Sequence, residues 1–148
     1  MPLLPLQADL LRNHPLHWKR FCMALPLELD ARVDESALEE WLCTLPDRHE
    51  ALRLAFPEGA ATMLPQPRRP RLTRCDIDAD LPRDEAVRTV ARAALAGIDP
   101  ERGATFGAGL AEHGGGRLLL LAGHHLVLDA LSLDILRREL AWYCRNGQ

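Results

Sequence analysis

The sequence predicts one α/β or α+β unit, a sandwich in which a mixed sheet is covered by helices. Three observations predict it. Apolar residues recur at helical spacing in several separate segments, and one strand candidate near the carboxyl end is apolar on both faces. Helical and strand patterns also alternate along all 148 residues without a repeat or a linker.

Taken in order, residues 5–12 read as a short helix, with proline in the first turn and Leu6 and Leu10 on one side. "FCMALPLEL" follows, placing Phe21, Met23, Leu25, Leu27 and Leu29 on one face of a strand. Pro26 withdraws a ladder donor and predicts an edge strand or a bulge. Asp34 caps a helix reaching about Leu45, with Ala37, Leu38, Trp41, Leu42 and Leu45 at helical period. Short strands are predicted over 52–56, 61–65 and 71–77. A helix over 82–96 buries Ala86, Val87, Val90, Ala91, Ala94 and Leu95 and ends at Gly97. "EHGGGR" joins strands over 105–112 and 117–125 into a hairpin, with the second strand central. A last helix over 131–145 stops at Asn146-Gly147.

Composition is that of a soluble globular chain, 47% hydrophobic and 26% charged. The net charge of −3 supplies no overall field for nucleic acid, and the basic run "PRRPR" (67–71), lacking aromatic neighbours, reads as a solvated loop. Cys22, Cys43, Cys75 and Cys144 show neither CxxC pairing nor ligand-spaced histidines, so no metal or disulfide framework is expected. Free thiols fit a reducing cytosol. The start lacks a basic segment before an apolar one, and every apolar run is shorter than a membrane span. A cytoplasmic chain is the expectation.

"LLLLAGHHLVLDALS" (118–132) drives an apolar strand into two histidines and then an aspartate. Neighbours on a strand point to opposite faces, so His124 and His125 are expected to do different jobs, one in a cleft and one in packing. Ionisable groups at the end of a buried strand are placed where α/β proteins put their sites.

Five segments carry a resemblance. "HHLVLDALS" resembles the HHxxxDG motif of the condensation domains of nonribosomal peptide synthetases. "RHEALRLAF" (48–56) resembles their RHExLRxxF motif, and "LLPLQ" (3–7) resembles their opening signature. "VDESALEEWL" (33–42) sits at the family's first long helix, and "IDPERGATF" (98–106) is similar to the segment before its hairpin. The resemblance implies the chloramphenicol-acetyltransferase-like fold, with residues 1–148 as the amino-terminal lobe and the second lobe absent. It also implies amide-forming acyl transfer between a thioester and an amine, both held on phosphopantetheine arms of peptidyl carrier proteins. His125 would be the functional histidine, taking a proton from the amine or hydrogen-bonding the tetrahedral intermediate. His124 would be its structural neighbour. Asp129 would be paired in a buried salt bridge with Arg48 or Arg53. Ala130, in place of the motif glycine, and Ser132 would border the substrate tunnel, with Ala130 adding backbone strain or narrowing the passage. Tunnel walls come from both lobes, so the lobe alone is expected to be inactive. It is also expected to expose its apolar strand and leucine-rich start to a second lobe or a second copy of itself. The alternative is an inactive remnant, a scaffold or docking module for a neighbouring adenylation or carrier domain. An acyl-CoA or ester-forming relative is a third reading.

Overall fold

The computed structural model describes residues 1–146, so the predicted stop at Asn146-Gly147 falls partly outside the described residues. At its centre is the hairpin of β5 (Phe106–His113) and β6 (Gly116–His124). Gly114 and Gly115 turn the chain at φ values of 60° and 78°, the two positive angles that a tight primed turn requires. β1 (Cys22–Leu29) pairs antiparallel with β6, and β4 (Leu72–Arg74) pairs parallel with β5, giving the order β1-β6-β5-β4. Pro26 thus sits on an edge strand, where its missing donor disrupts the fewest bonds. The doubly apolar strand is interior. Residues 117–122 are buried between β1 and β5, so the expectation that this strand lies open for pairing is corrected: both of its edges are already satisfied.

Leu119 and Leu121 face one side of the sheet, and Leu118, Leu120 and Ala122 face the other. The first side packs against α2 (Glu35–Arg48) and α4 (Ala130–Asn146) through Leu38, Trp41, Leu42, Leu45, Leu133, Leu136 and Leu140. Asp34 caps α2 by accepting the Ser36 N–H at 3.2 Å. The helix runs past its expected end because Pro46, in the last turn, forfeits one ladder bond and is itself buried. The other side packs against α3 (Arg83–Leu95) through Ala86, Val90 and Ala94. Close approach there depends on Gly109, where a Cβ would meet the Val90 carbonyl oxygen at 2.7 Å.

A third core closes the end of the sheet where β6 stops. It joins α1 (Pro5–Asn13), the ribbon of β2 (Leu54–Ala55) and β3 (Thr62–Met63), and the turn after β6, through Leu10, Trp18, Leu54, Phe56, Ala61 and Leu126. On α1 the buried pair is Gln7 and Leu10, and Leu6 is exposed. The predicted three short strands form, but over fewer residues. No described helix is long and apolar enough to cross a membrane.

Candidate active site

β6 ends at His124, and His125 opens a turn over 125–127. The predicted strand is therefore one residue too long, and a break in the strand separates the two rings. Leu126 inserts into the third core and Leu128 into the first. Burying each contributes about 1.5–3 kcal/mol, which pins the turn between two cores. Backbone bonds hold its entry: His124 N–H to the Thr105 carbonyl at 2.9 Å and His125 N–H to the Phe21 carbonyl at 2.7 Å. Gln7 is buried, and its amide nitrogen donates to the Leu126 carbonyl at 2.8 Å while its oxygen accepts the Leu4 N–H at 2.9 Å. This glutamine, 119 residues away in the chain, carries a role that sequence reading missed. Its signal was a polar side chain beside Leu10 on the buried face of α1.

The His124 ring is fully buried. Its Nδ1 accepts the Leu126 N–H at 3.1 Å, so Nε2 carries the proton and donates to the Trp18 carbonyl at 2.7 Å. The Trp18 indole stands edge-on to it, at 6.0 Å between centroids. Both nitrogens are committed, and burial pushes the imidazole below the ordinary histidine pKa. His124 is a neutral packing and bracing group with no lone pair to offer.

His125 has the opposite tautomer. Its Nδ1 lies 2.8 Å from the Leu128 carbonyl oxygen, which can only accept, so Nδ1 holds the proton. The Nε2 lone pair of this half-buried ring has no protein partner among the described residues. That is the arrangement of an oriented proton acceptor.

The expected Asp129–arginine pair does not form. Asp129 is exposed, and its Oδ1 accepts both the backbone N–H and the hydroxyl of Ser132 at 2.7 Å. These bonds hold its carboxyl below the usual range. It caps α4, since it directly precedes Ala130 and bonds three residues on. Arg48 lies 3.9 Å from Glu139, which also accepts from His49 at 2.9 Å. Arg53 points its guanidinium at the Leu64 and Pro65 carbonyls at 3.4 and 3.5 Å. Both arginines are engaged elsewhere: Arg48, in the last turn of α2, shares Glu139 of α4 with His49, and Arg53 faces the carbonyls that follow β3. Ala130 carries no strain: it is the first residue of α4, and Glu58 is the one described non-glycine residue at positive φ. Ala130 is exposed, whereas Ser132 borders a cavity of about 100 Å³ with His49, Leu52, Val127, Leu128 and Ile135.

A family model for the condensation domain matches residues 1–148. The chain belongs to the condensation domain family. A relative named "Probable non-canonical nonribosomal peptide synthetase (NRPS) CymA", from Salinispora arenicola, is 36% identical over 121 residues, which is 80% of this chain and 2% of that protein. Among solved structures, the epimerization domain from the third module of tyrocidine synthetase B superposes with a TM-score of 0.78 at 24% identity, over 95% of this chain and 33% of that one. The starter condensation domain of rhizomide synthetase RzmA gives 0.75 at 17% identity, over 96% and 36%. At these identities the superpositions show the fold. This condensation domain chain spans about a third of each solved neighbour and a small fraction of its curated relative.

Proposed function

We propose that the chain is the amino-terminal lobe of a nonribosomal peptide synthetase condensation domain, forming an amide between carrier-bound partners once a second lobe completes the site. The observation that carries this reading is the His125 tautomer. With Nδ1–H held by the Leu128 carbonyl, Nε2 is the group free to accept. As the amine nitrogen bonds to the thioester carbonyl carbon, Nε2 takes the amine proton. As the C–S bond then breaks, the imidazolium returns that proton to the departing sulfur, leaving an amide and a thiol. An unprotonated Nε2 cannot donate to an oxyanion first, so hydrogen bonding to the intermediate follows proton uptake. Phosphopantetheine arms on peptidyl carrier proteins would deliver both reactants, and their proximity substitutes for much of the binding machinery. The arm is borne by the partner; on this chain, what fits its reacting end is the uncommitted Nε2 of His125.

An inactive scaffold contacting an adenylation or carrier domain is the second reading, favoured by one observation. Leu131, Ile135 and Trp142 leave an exposed apolar stripe on α4, suited to a neighbouring domain whether or not chemistry occurs. The two readings separate in one assay with donor- and acceptor-loaded carrier proteins. The 148-residue chain alone should give no amide above its His125→Ala variant, and adding a second lobe should give His125-dependent amide. Carrier binding by the completed domain without any product would establish the scaffold instead.

A further inference from the structure

A concavity of about 560 Å³ lies away from the histidine turn, at the β4–β5 edge against the end of α3. That volume falls within the range of small-molecule sites. Four arginines line it, Arg68, Arg69, Arg71 and Arg102, in a chain whose net charge is −3. Three of them come from the basic run that the sequence reads as a solvated loop. The structure holds that loop in place. Arg69 bonds the Asp47 carboxylate at 2.6 Å and the Cys43 carbonyl at 2.7 Å, tying the loop to α2. The Arg71 carbonyl accepts the Ala108 N–H at 3.0 Å, tying it to β5. Pro67 and Pro70 fix φ immediately before Arg68 and Arg71, which reduces the chain entropy left to be lost on binding.

With Arg69 spent on the tether, Arg68 and Arg71 have no side-chain hydrogen bond or ion pair among the described residues, although they stand at one cavity. Arg102 is loosely paired, its Nε 3.6 Å from Asp99. Two features oppose an anion here. Asp99 lines the wall, but its carboxylate already accepts the Glu101 N–H at 3.2 Å and faces Arg102. The carboxyl end of α3 contributes about half a negative charge, which two uncommitted guanidinium charges exceed. Small walls, Ala93, Ala96 and Gly97, leave room for more than a bare ion.

We propose that this cavity binds a phosphate group, free or as the ester of a small organic molecule. Planar guanidinium forks match phosphate oxygens in pairs, and a dianion engages two such forks at once. The proposal is independent of the amide-forming reading and needs no second lobe. Its test is an NMR titration of the 148-residue chain at constant ionic strength, with inorganic phosphate, glycerol 3-phosphate and glycerol as probes. Saturable amide shifts at Arg71, Thr73 and Gly107 are expected with both phosphates and not with glycerol. The Arg68→Gln/Arg71→Gln variant should bind about tenfold more weakly or worse. Its melting temperature should be unchanged, because both side chains are exposed. Tighter binding of glycerol 3-phosphate identifies an ester site, and equal binding identifies a site for phosphate itself. Either outcome upholds the proposal. Absence of saturable shifts, equal shifts with glycerol, or undiminished affinity in the double variant would overturn it.

Discussion

His124 and His125 share a peptide bond and almost nothing else. The first ends a central strand, is fully buried, and has both ring nitrogens engaged by Trp18 and Leu126. The second opens a turn, is half-buried, and has one nitrogen engaged by Leu128. Opposite tautomers result, one closed on both sides and one with a free lone pair. The difference teaches that a histidine's chemistry is set by which carbonyls reach it rather than by its neighbours in sequence.

Truncation should expose that contrast most sharply. His124→Ala removes a buried ring and strands the Trp18 carbonyl and the Leu126 N–H, a loss of about 3 kcal/mol or more. His125→Ala should cost much less, since its ring is half-buried and makes one bond. Urea denaturation of both variants measures the gap, and equal midpoints would break the comparison.

Acidification should act on the same histidine. The folded-state pKa of His124 lies below its unfolded value, so on falling through about pH 6.5 the unfolded chain takes up a proton that the folded chain refuses. Stability from this site is present above that pH and is lost below it. Melting temperatures between pH 7.5 and 5.5 should fall for the native chain and for His125→Ala, and flatten for His124→Gln. A flat native profile would contradict the assignment.

Gln7→Ala leaves the Leu126 carbonyl buried without its donor, at about 1–3 kcal/mol. It should also loosen the turn that orients His125. In ¹⁵N spectra of the imidazoles, His125 should shift from a single Nδ1–H form toward a mixture of tautomers, while Gln7→Glu fails to rescue it, having lost the donor. An unmoved His125 signal would make Gln7 a packing residue only.

The smallest effect is expected at Asp129. As a helix cap rather than half of a buried ion pair, Asp129→Ala should cost about 1 kcal/mol, and Asp129→Asn less. Thermal melts decide this, and a loss as large as that of His124→Ala would restore a buried partner for the carboxylate.

The fold was legible where the signal is local. Period-two alternation marked β1, helical stripes marked α2 and α3, and the glycine run marked the hairpin turn. The candidate site was legible only in part. The motif located His124, His125, Asp129 and Ser132 within one segment, but Arg48 and Arg53 were wrongly joined to it. Their true contacts, Glu139 and the Leu64–Pro65 carbonyls, depend on how α4 and β3 are placed. Gln7 and Trp18 were overlooked because their partners lie more than a hundred residues on, and the one local signal, a polar side chain on the buried face of α1, does not name the partner.

What the sequence determined by itself was the layout: which segments are helices, that Pro26 belongs on an edge, and that the strand entering the histidines runs through the middle of the sheet. Side-chain periodicity and proline geometry are properties of a few consecutive residues, and they need no knowledge of the rest of the chain. Only the tertiary structure decided which imidazole nitrogen stays free, what Asp129 bonds, and that the arginines of a basic loop border one cavity. Those outcomes rest on donors and acceptors brought within 3 Å or so from distant segments, and on the cost of leaving a buried polar group without one.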